Sequence, residues 1–178
     1  MKKILLIIAL IMAIFQMIVL ATAIDIGEVA KNRNFASSPG YTDVNIGNSA
    51  NATGKINSVE IWAETDITGC EVATFYVVSG NYLSTRDSET ISGTITAGAK
   101  RTFTVDLDVV VGDFIGMYFT SGKIEYDGEG YGGFWQLSGD NIPCTNTNFG
   151  NSYAGDAISL YGTGATSASN AINFAINF

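Results

Sequence analysis

The sequence predicts an all-β fold: a two-sheet, jelly-roll-like β-sandwich of roughly eight to ten antiparallel strands, preceded by an N-terminal hydrophobic signal helix. Three observations predict it. After the first 23 residues no stretch carries the apolar spacing of an amphipathic helix, whereas period-two alternation recurs. The chain has 20 glycines and many Ser, Thr and Asn, but only Pro39 and Pro143, a composition that favours short strands joined by tight turns. Strands never alternate with helical patterns, so there is no sign of βαβ units. An immunoglobulin-like sandwich is the alternative arrangement, but Trp62 precedes both cysteines, so the Cys…Trp…Cys order is not met.

The first element is read from residues 1–23. Lys2 and Lys3 precede an apolar run from Ile4 to Leu20, and Ala21-Thr22-Ala23 follows. A positive start, an apolar middle and a small-x-small end make a secretory signal cleaved after Ala23. The run is longer than an h-region of about 15 residues and shorter than a spanning helix of about 20, so a retained anchor is the alternative. The expectation is one domain, 24–178, secreted or held at the cell surface, touching a membrane only through residues 4–20 if these stay uncleaved.

Within that domain, Lys55 to Glu64 puts Val59, Ile61 and Ala63 on one face and Glu60, Trp62 and Glu64 on the other. Glu71 to Ser79 has apolar residues on both faces and reads as a strand buried on both sides. Glu89 to Thr96 and Arg101 to Leu107 flank Ala97-Gly98-Ala99, which predicts a hairpin. Val111-Gly112-Asp113 predicts a turn into a strand over Phe114 to Phe119. Gly133 to Leu137 and Ala157 to Tyr161 are further short strands. The end of the chain alternates strictly, with Ile172, Phe174, Ile176 and Phe178 against Asn173, Ala175 and Asn177. Such a terminal strand pairs within its own domain or completes a neighbour's sheet, as does the stretch 24–45.

The run Thr102-Phe103-Thr104-Val105-Asp106-Leu107, followed by Val111-Gly112-Asp113-Phe114-Ile115-Gly116, resembles the hairpin and Gly-Asp-x-Ile-Gly strand of exported jelly-roll domains of the C1q-like and carbohydrate-binding-module-like types. The resemblance covers about residues 90–120. It implies the fold, and no family ligand residue carries over.

Charge and composition narrow the function. Without Lys2 and Lys3, seven basic residues face seventeen acidic ones, a net charge of −10. Such a surface repels nucleic acid and anionic membranes and suits cations or neutral polymers. Histidine is absent, which removes the commonest general base and the usual serine or cysteine triads. Cys70 and Cys144, an even pair in an exported chain, predict a disulfide.

The densest candidate site is Glu125-Tyr126-Asp127-Gly128-Glu129-Gly130-Tyr131-Gly132-Gly133-Phe134-Trp135. Glu125, Asp127 and Glu129 offer hard oxygen ligands in a glycine-rich loop, a chemistry suited to Ca2+, unless the loop is only a solvated acidic tip. Tyr126, Tyr131 and Trp135, with Trp62 between Glu60 and Glu64, offer flat rings beside carboxylates. This pairing suits a polysaccharide or cell-surface glycan: rings pack on C–H faces while acids accept hydroxyls. The alternative for each ring is ordinary burial. Catalysis is not expected. A glycoside hydrolase needs two carboxyls about 5–9.5 Å apart, and Glu60 and Glu64 lie about 13 Å apart along one strand. The expected function is a non-catalytic, glycan-binding surface module. The alternative is a structural subunit of a surface layer, filament or virion, a homo-oligomer built through edge or donor strands.

Overall fold

A computed structural model describes residues 21–166. The predicted signal and apolar run at residues 1–20 and the alternating segment at 172–178 lie outside the described residues.

The described chain is all-β, with no helix among the described residues. Its strands are β1 (Ala23–Gly27), β2 (Phe35–Ser37), β3 (Tyr41–Asn45), β4 (Gly54–Thr68), β5 (Cys70–Ser79), β6 (Tyr82–Ile91), β7 (Lys100–Val109), β8 (Phe114–Tyr118), β9 (Ser121–Asp127), β10 (Phe134–Ser138), β11 (Thr147–Asn148), β12 (Asn151–Tyr153), β13 (Ala157–Ile158) and β14 (Leu160–Ala165). They form two antiparallel sheets, consistent with a β-sandwich. In the first, β1, β14, β4, β9 and β13 follow one another, with β7 on the other side of β4 and β2 on β9. The second runs β11-β6-β5-β8-β3-β10-β12.

Alternation places the core as expected. Val59, Ile61 and Ala63 of β4 are buried, while Glu60, Trp62 and Glu64 face outward. The inner faces meet in a cluster that includes Ile26, Ile56, Ile61, Val72, Leu107, Ile115 and Phe119. The second sheet is also covered on its outer face, where Ile142, Cys144 and Phe149 of the 139–150 loop pack over Phe75, Leu83 and Phe114. That cover explains why Val72, Ala73, Thr74 and Phe75 are all buried, but the two-sided burial expected for all of Glu71 to Ser79 stops there: Tyr76 to Ser79 run beyond the cover and are exposed.

The Gly112-Asp113 turn forms as predicted. The Asp113 carboxylate accepts the Val110 N–H at 2.8 Å and pairs with the Arg86 guanidinium, tying the turn to β6. Gly116 is fixed by contact: a Cβ there would meet the Asp43 carbonyl oxygen at 2.6 Å and the Phe75 ring at 2.9 Å.

Two further expectations are corrected. Residues 89–107 do not form a hairpin: β6 pairs with β5 and β7 pairs with β4, and the chain crosses between sheets after Ile91, reaching β4 at Ile95, which bridges Ile67, and running on along β4 through Ala97-Gly98-Ala99 into β7. The hairpin is β5–β6, turning at Gly80-Asn81, where Gly80 has a φ of 57°. Cys70 and Cys144 are not bonded, and both are free thiols. Cys70 lies in the core between the sheets and Cys144 in the cluster on the outer face of the second sheet. Cys144 bonds Thr85, which pairs with Phe75, five residues along β5 from Cys70 and so about 16 Å away. A disulfide needs Cα atoms within about 7 Å.

Candidate functional site

A cavity of about 210 Å³ opens where β2 and β9 of the first sheet face β3, β10 and β12 of the second. It is lined by Ser37, Tyr41, Tyr126, Phe134, Gln136 and Tyr153, among others. Strand alternation aims Phe134 and Gln136 the same way from β10, and β12 brings Tyr153 directly opposite Phe134.

Four rings run in series along this mouth. Phe35 stacks on Tyr126 with centroids 5.4 Å apart, Tyr126 meets Phe134 edge-on at 5.9 Å, and Phe134 stacks on Tyr153 at 4.6 Å with planes 9° apart. The ends of the series are open: Phe35 is 54% exposed and Tyr153 38%. Exposed flat rings above a fixed, buried ring form an apolar wall that water does not fill well.

The floor is polar and connected. Asp43, on β3, is fully buried. Its carboxylate accepts Ser37 Oγ–H at 3.0 Å and Gln136 Nε2–H at 2.8 Å, and Gln136 Oε1 accepts the Tyr153 hydroxyl at 3.2 Å. Among the described residues no cation pairs with Asp43. Burial pushes its carboxyl up to about 7, against the smaller downward pull of the Gln136 and Ser37 hydrogen bonds. Ser37 and Gln136 reach the cavity, and through them Asp43 fixes which way the lining polar groups point.

A second polar cluster lies beside the cleft. The buried Arg33 guanidinium donates from Nε to Ser159 Oγ at 2.7 Å and from Nη2 to the Val29 carbonyl at 2.9 Å, and covers the Tyr131 ring at 4.7 Å. Its Nη1 lies 3.7 Å from Asp127, and the Arg33 backbone N–H donates to Glu125. Lys31 donates to the Tyr131 hydroxyl at 2.8 Å and Asn34 to Asp127 at 3.0 Å. The contact with the Lys31 ammonium leads in holding the Tyr131 hydroxyl below its usual range. These bonds strap the 28–34 loop onto β9.

The residues expected from sequence are distributed over several surfaces. Glu125 and Asp127 are engaged by the 31–34 loop, while Glu129 is exposed in the turn that follows, with a φ of 81°. Among the described residues no three His, Cys, Asp or Glu side chains gather as metal ligands. Tyr126 lines the cleft, and Tyr131 serves the Arg33 cluster. Trp135 points to the outer face of the second sheet, edge-on to Phe114 at 6.0 Å. Trp62 is half-buried on the outer face of the first sheet, between Glu60, bonded to Lys100 at 2.8 Å, and Glu64, which is 3.9 Å from Lys123.

No protein-family model matches this chain, and no curated protein is significantly similar to it. Neither comparison supports a C1q-like or carbohydrate-binding-module-like type, and what the chain shows is the coarser architecture, two antiparallel sheets in an all-β fold.

Proposed function

We propose that this chain is an exported, surface-displayed recognition module of jelly-roll architecture that binds a neutral glycan in the aromatic cleft. Strand order supports the architecture. Numbering β1, β3, β4, β5, β6, β7, β8 and β14 from one to eight gives sheets 1-8-3-6 and 2-7-4-5, the nested Greek keys of a jelly roll.

The observation that carries the function is the series of rings beside a polar floor. Tyr126 and Tyr153 supply the faces on which sugar C–H groups pack, with the buried Phe134 ring holding Tyr153 in place, while Ser37 and Gln136 supply hydroxyl and amide groups at fixed positions. Small-molecule pockets commonly hold about 300–1,000 Å³, so this smaller cleft suits one sugar ring or a chain end. Asp43 sits beneath the lining and anchors it, which favours binding over catalysis. Calcium is not part of this reading, because Glu125 and Asp127 already serve Arg33, Lys31 and Asn34.

The alternative, assembly through edge strands, draws less support from the described edges. The outer edge of β1 is covered by the 48–51 loop: Gly27 N–H donates to the Asn48 carbonyl, and Asn48 and Asn51 side chains bond Gly27 and Asp25.

A panel of neutral oligosaccharides tests the proposal. Tyr153→Ala is expected to lower affinity for any glycan bound by at least about tenfold, the scale of one lost aromatic contact. Trp62→Ala is expected to leave it unchanged. Loss in Trp62→Ala with none in Tyr153→Ala moves the site to the outer face of the first sheet and overturns the cleft.

A further inference from the structure

One end of the sandwich collects most of the exposed apolar side chains. The β7–β8 turn lies there, with Val111 61% exposed. The β5–β6 hairpin lies there too: Phe75 pairs with Phe114, the first residue of β8, and the hairpin continues past it. Beyond Phe75 the strand leaves the cover of the 139–150 loop, and Tyr76, Val77, Val78 and Tyr82 are exposed, Val78 at 48%. Together with Val111 these are five of the eight large apolar side chains exposed among the described residues.

The hairpin is also uncharged. Every residue from Phe75 to Thr85 is neutral in a chain of net charge −8, and Arg86 at its base is held by Asp113 and lies 4.9 Å over the Tyr76 ring.

The chain enters the domain at this same end. Ala23 opens β1 and pairs with Ala165, and Ala165 pairs with Lys55, next to Gly54, which pairs with Val109 at the start of the β7–β8 turn. Only Ala21 and Thr22 separate Ala23 from the apolar run that ends at Leu20. Kept as an anchor rather than cleaved after Ala23, a run of that composition belongs in hydrocarbon, so a membrane holding it meets this end of the sandwich first.

We propose that this end seats on a zwitterionic lipid bilayer, with Val77, Val78, Tyr82 and Val111 in the interfacial layer. Apolar tips gain by leaving water, and tyrosine suits the headgroup region, with its ring in the apolar layer and its hydroxyl hydrated. An uncharged hairpin enters without stripping water from a charge, whereas the acidic body disfavours anionic lipid. The surface is separate from the cleft, whose lining includes none of these residues.

The full chain, reconstituted in phosphatidylcholine vesicles, provides the test. In a Cys144→Ser background an environment-sensitive fluorophore is placed on Val78→Cys or, at the opposite end, on Thr94→Cys. Cys70 stays unlabelled because it is buried and burial pushes its thiol up to about 12. Nitroxide headgroup lipid is expected to quench the Val78 label roughly threefold more than the Thr94 label, with a blue-shifted emission. Adding Val77→Asp and Val111→Asp is expected to remove the difference while the melting curve is kept. Equal quenching at the two positions overturns the proposal. So does an equal blue shift without lipid, which would mean that a second copy covers the hairpin.

Discussion

Asp43 has the most consequential position of any single residue. Its carboxyl is buried, accepts two neutral hydrogen bonds and titrates near 7, against 3.8 when free. Below pH 4 both folded and unfolded chains hold the proton, and this group's contribution to stability is complete. Between about 4 and 7 the unfolded chain releases the proton and the folded one keeps it, so stability falls as pH rises, and above 7 the loss is complete. A difference of about 3 pH units corresponds to a loss on the order of 4 kcal/mol. Asp43→Asn keeps the shape and an amide oxygen for Gln136 while removing the titration. Urea unfolding from pH 4 to 8 is expected to show a falling stability in the wild type that is largely absent from the variant. Parallel profiles would mean that Asp43 is ionised in the folded chain throughout.

Among the elements, β7 shows how side chains can close an edge. Its partner β4 lies on one side, and the other side is met by carboxylates from β6: Glu89 accepts the Asp106 N–H at 2.8 Å and Asp87 the Asp108 N–H at 2.8 Å. Two acids thus occupy donors that another chain would use for pairing. Asp87→Ala with Glu89→Ala is expected to raise the mass measured by light scattering in a concentration-dependent way. An unchanged mass would show that the edge needs no such cover.

The same region shows what was legible in the sequence. The alternation of β4 and β7 predicts their faces correctly, because period two depends only on local geometry. The partner of each strand is a different matter. Ala97-Gly98-Ala99 reads as a hairpin turn but lies along β4, after the chain has crossed between Ile91 and Ile95, while the hairpin at Gly80-Asn81 carries a two-residue signal between Val77-Val78 and Tyr82-Leu83 that alone could have located it. The unbonded cysteines follow from the same limit, since the face a strand offers its own loop is set by tertiary packing.

For the molecule as a whole, all-β class and two-sheet architecture were readable from composition and pattern, but the cleft was not. Of its polar and aromatic lining only Tyr126 and Phe134 fall within the stretch the sequence singles out, because Ser37, Tyr41, Gln136 and Tyr153 come from four separate strands and meet only when the sheets close. One signal pointed to it: Tyr41-Thr42-Asp43-Val44-Asn45 puts a carboxylate within a strand otherwise fit for burial, where a charge demands an explanation. The glycan-binding reading stands on this cleft, and amide chemical shifts during titration with a bound neutral oligosaccharide test it most directly. The account predicts that the shifts concentrate at residues 35–43, 126, 134–136 and 153. Shifts centred on Trp62 and Lys100, with the cleft amides still, would contradict it.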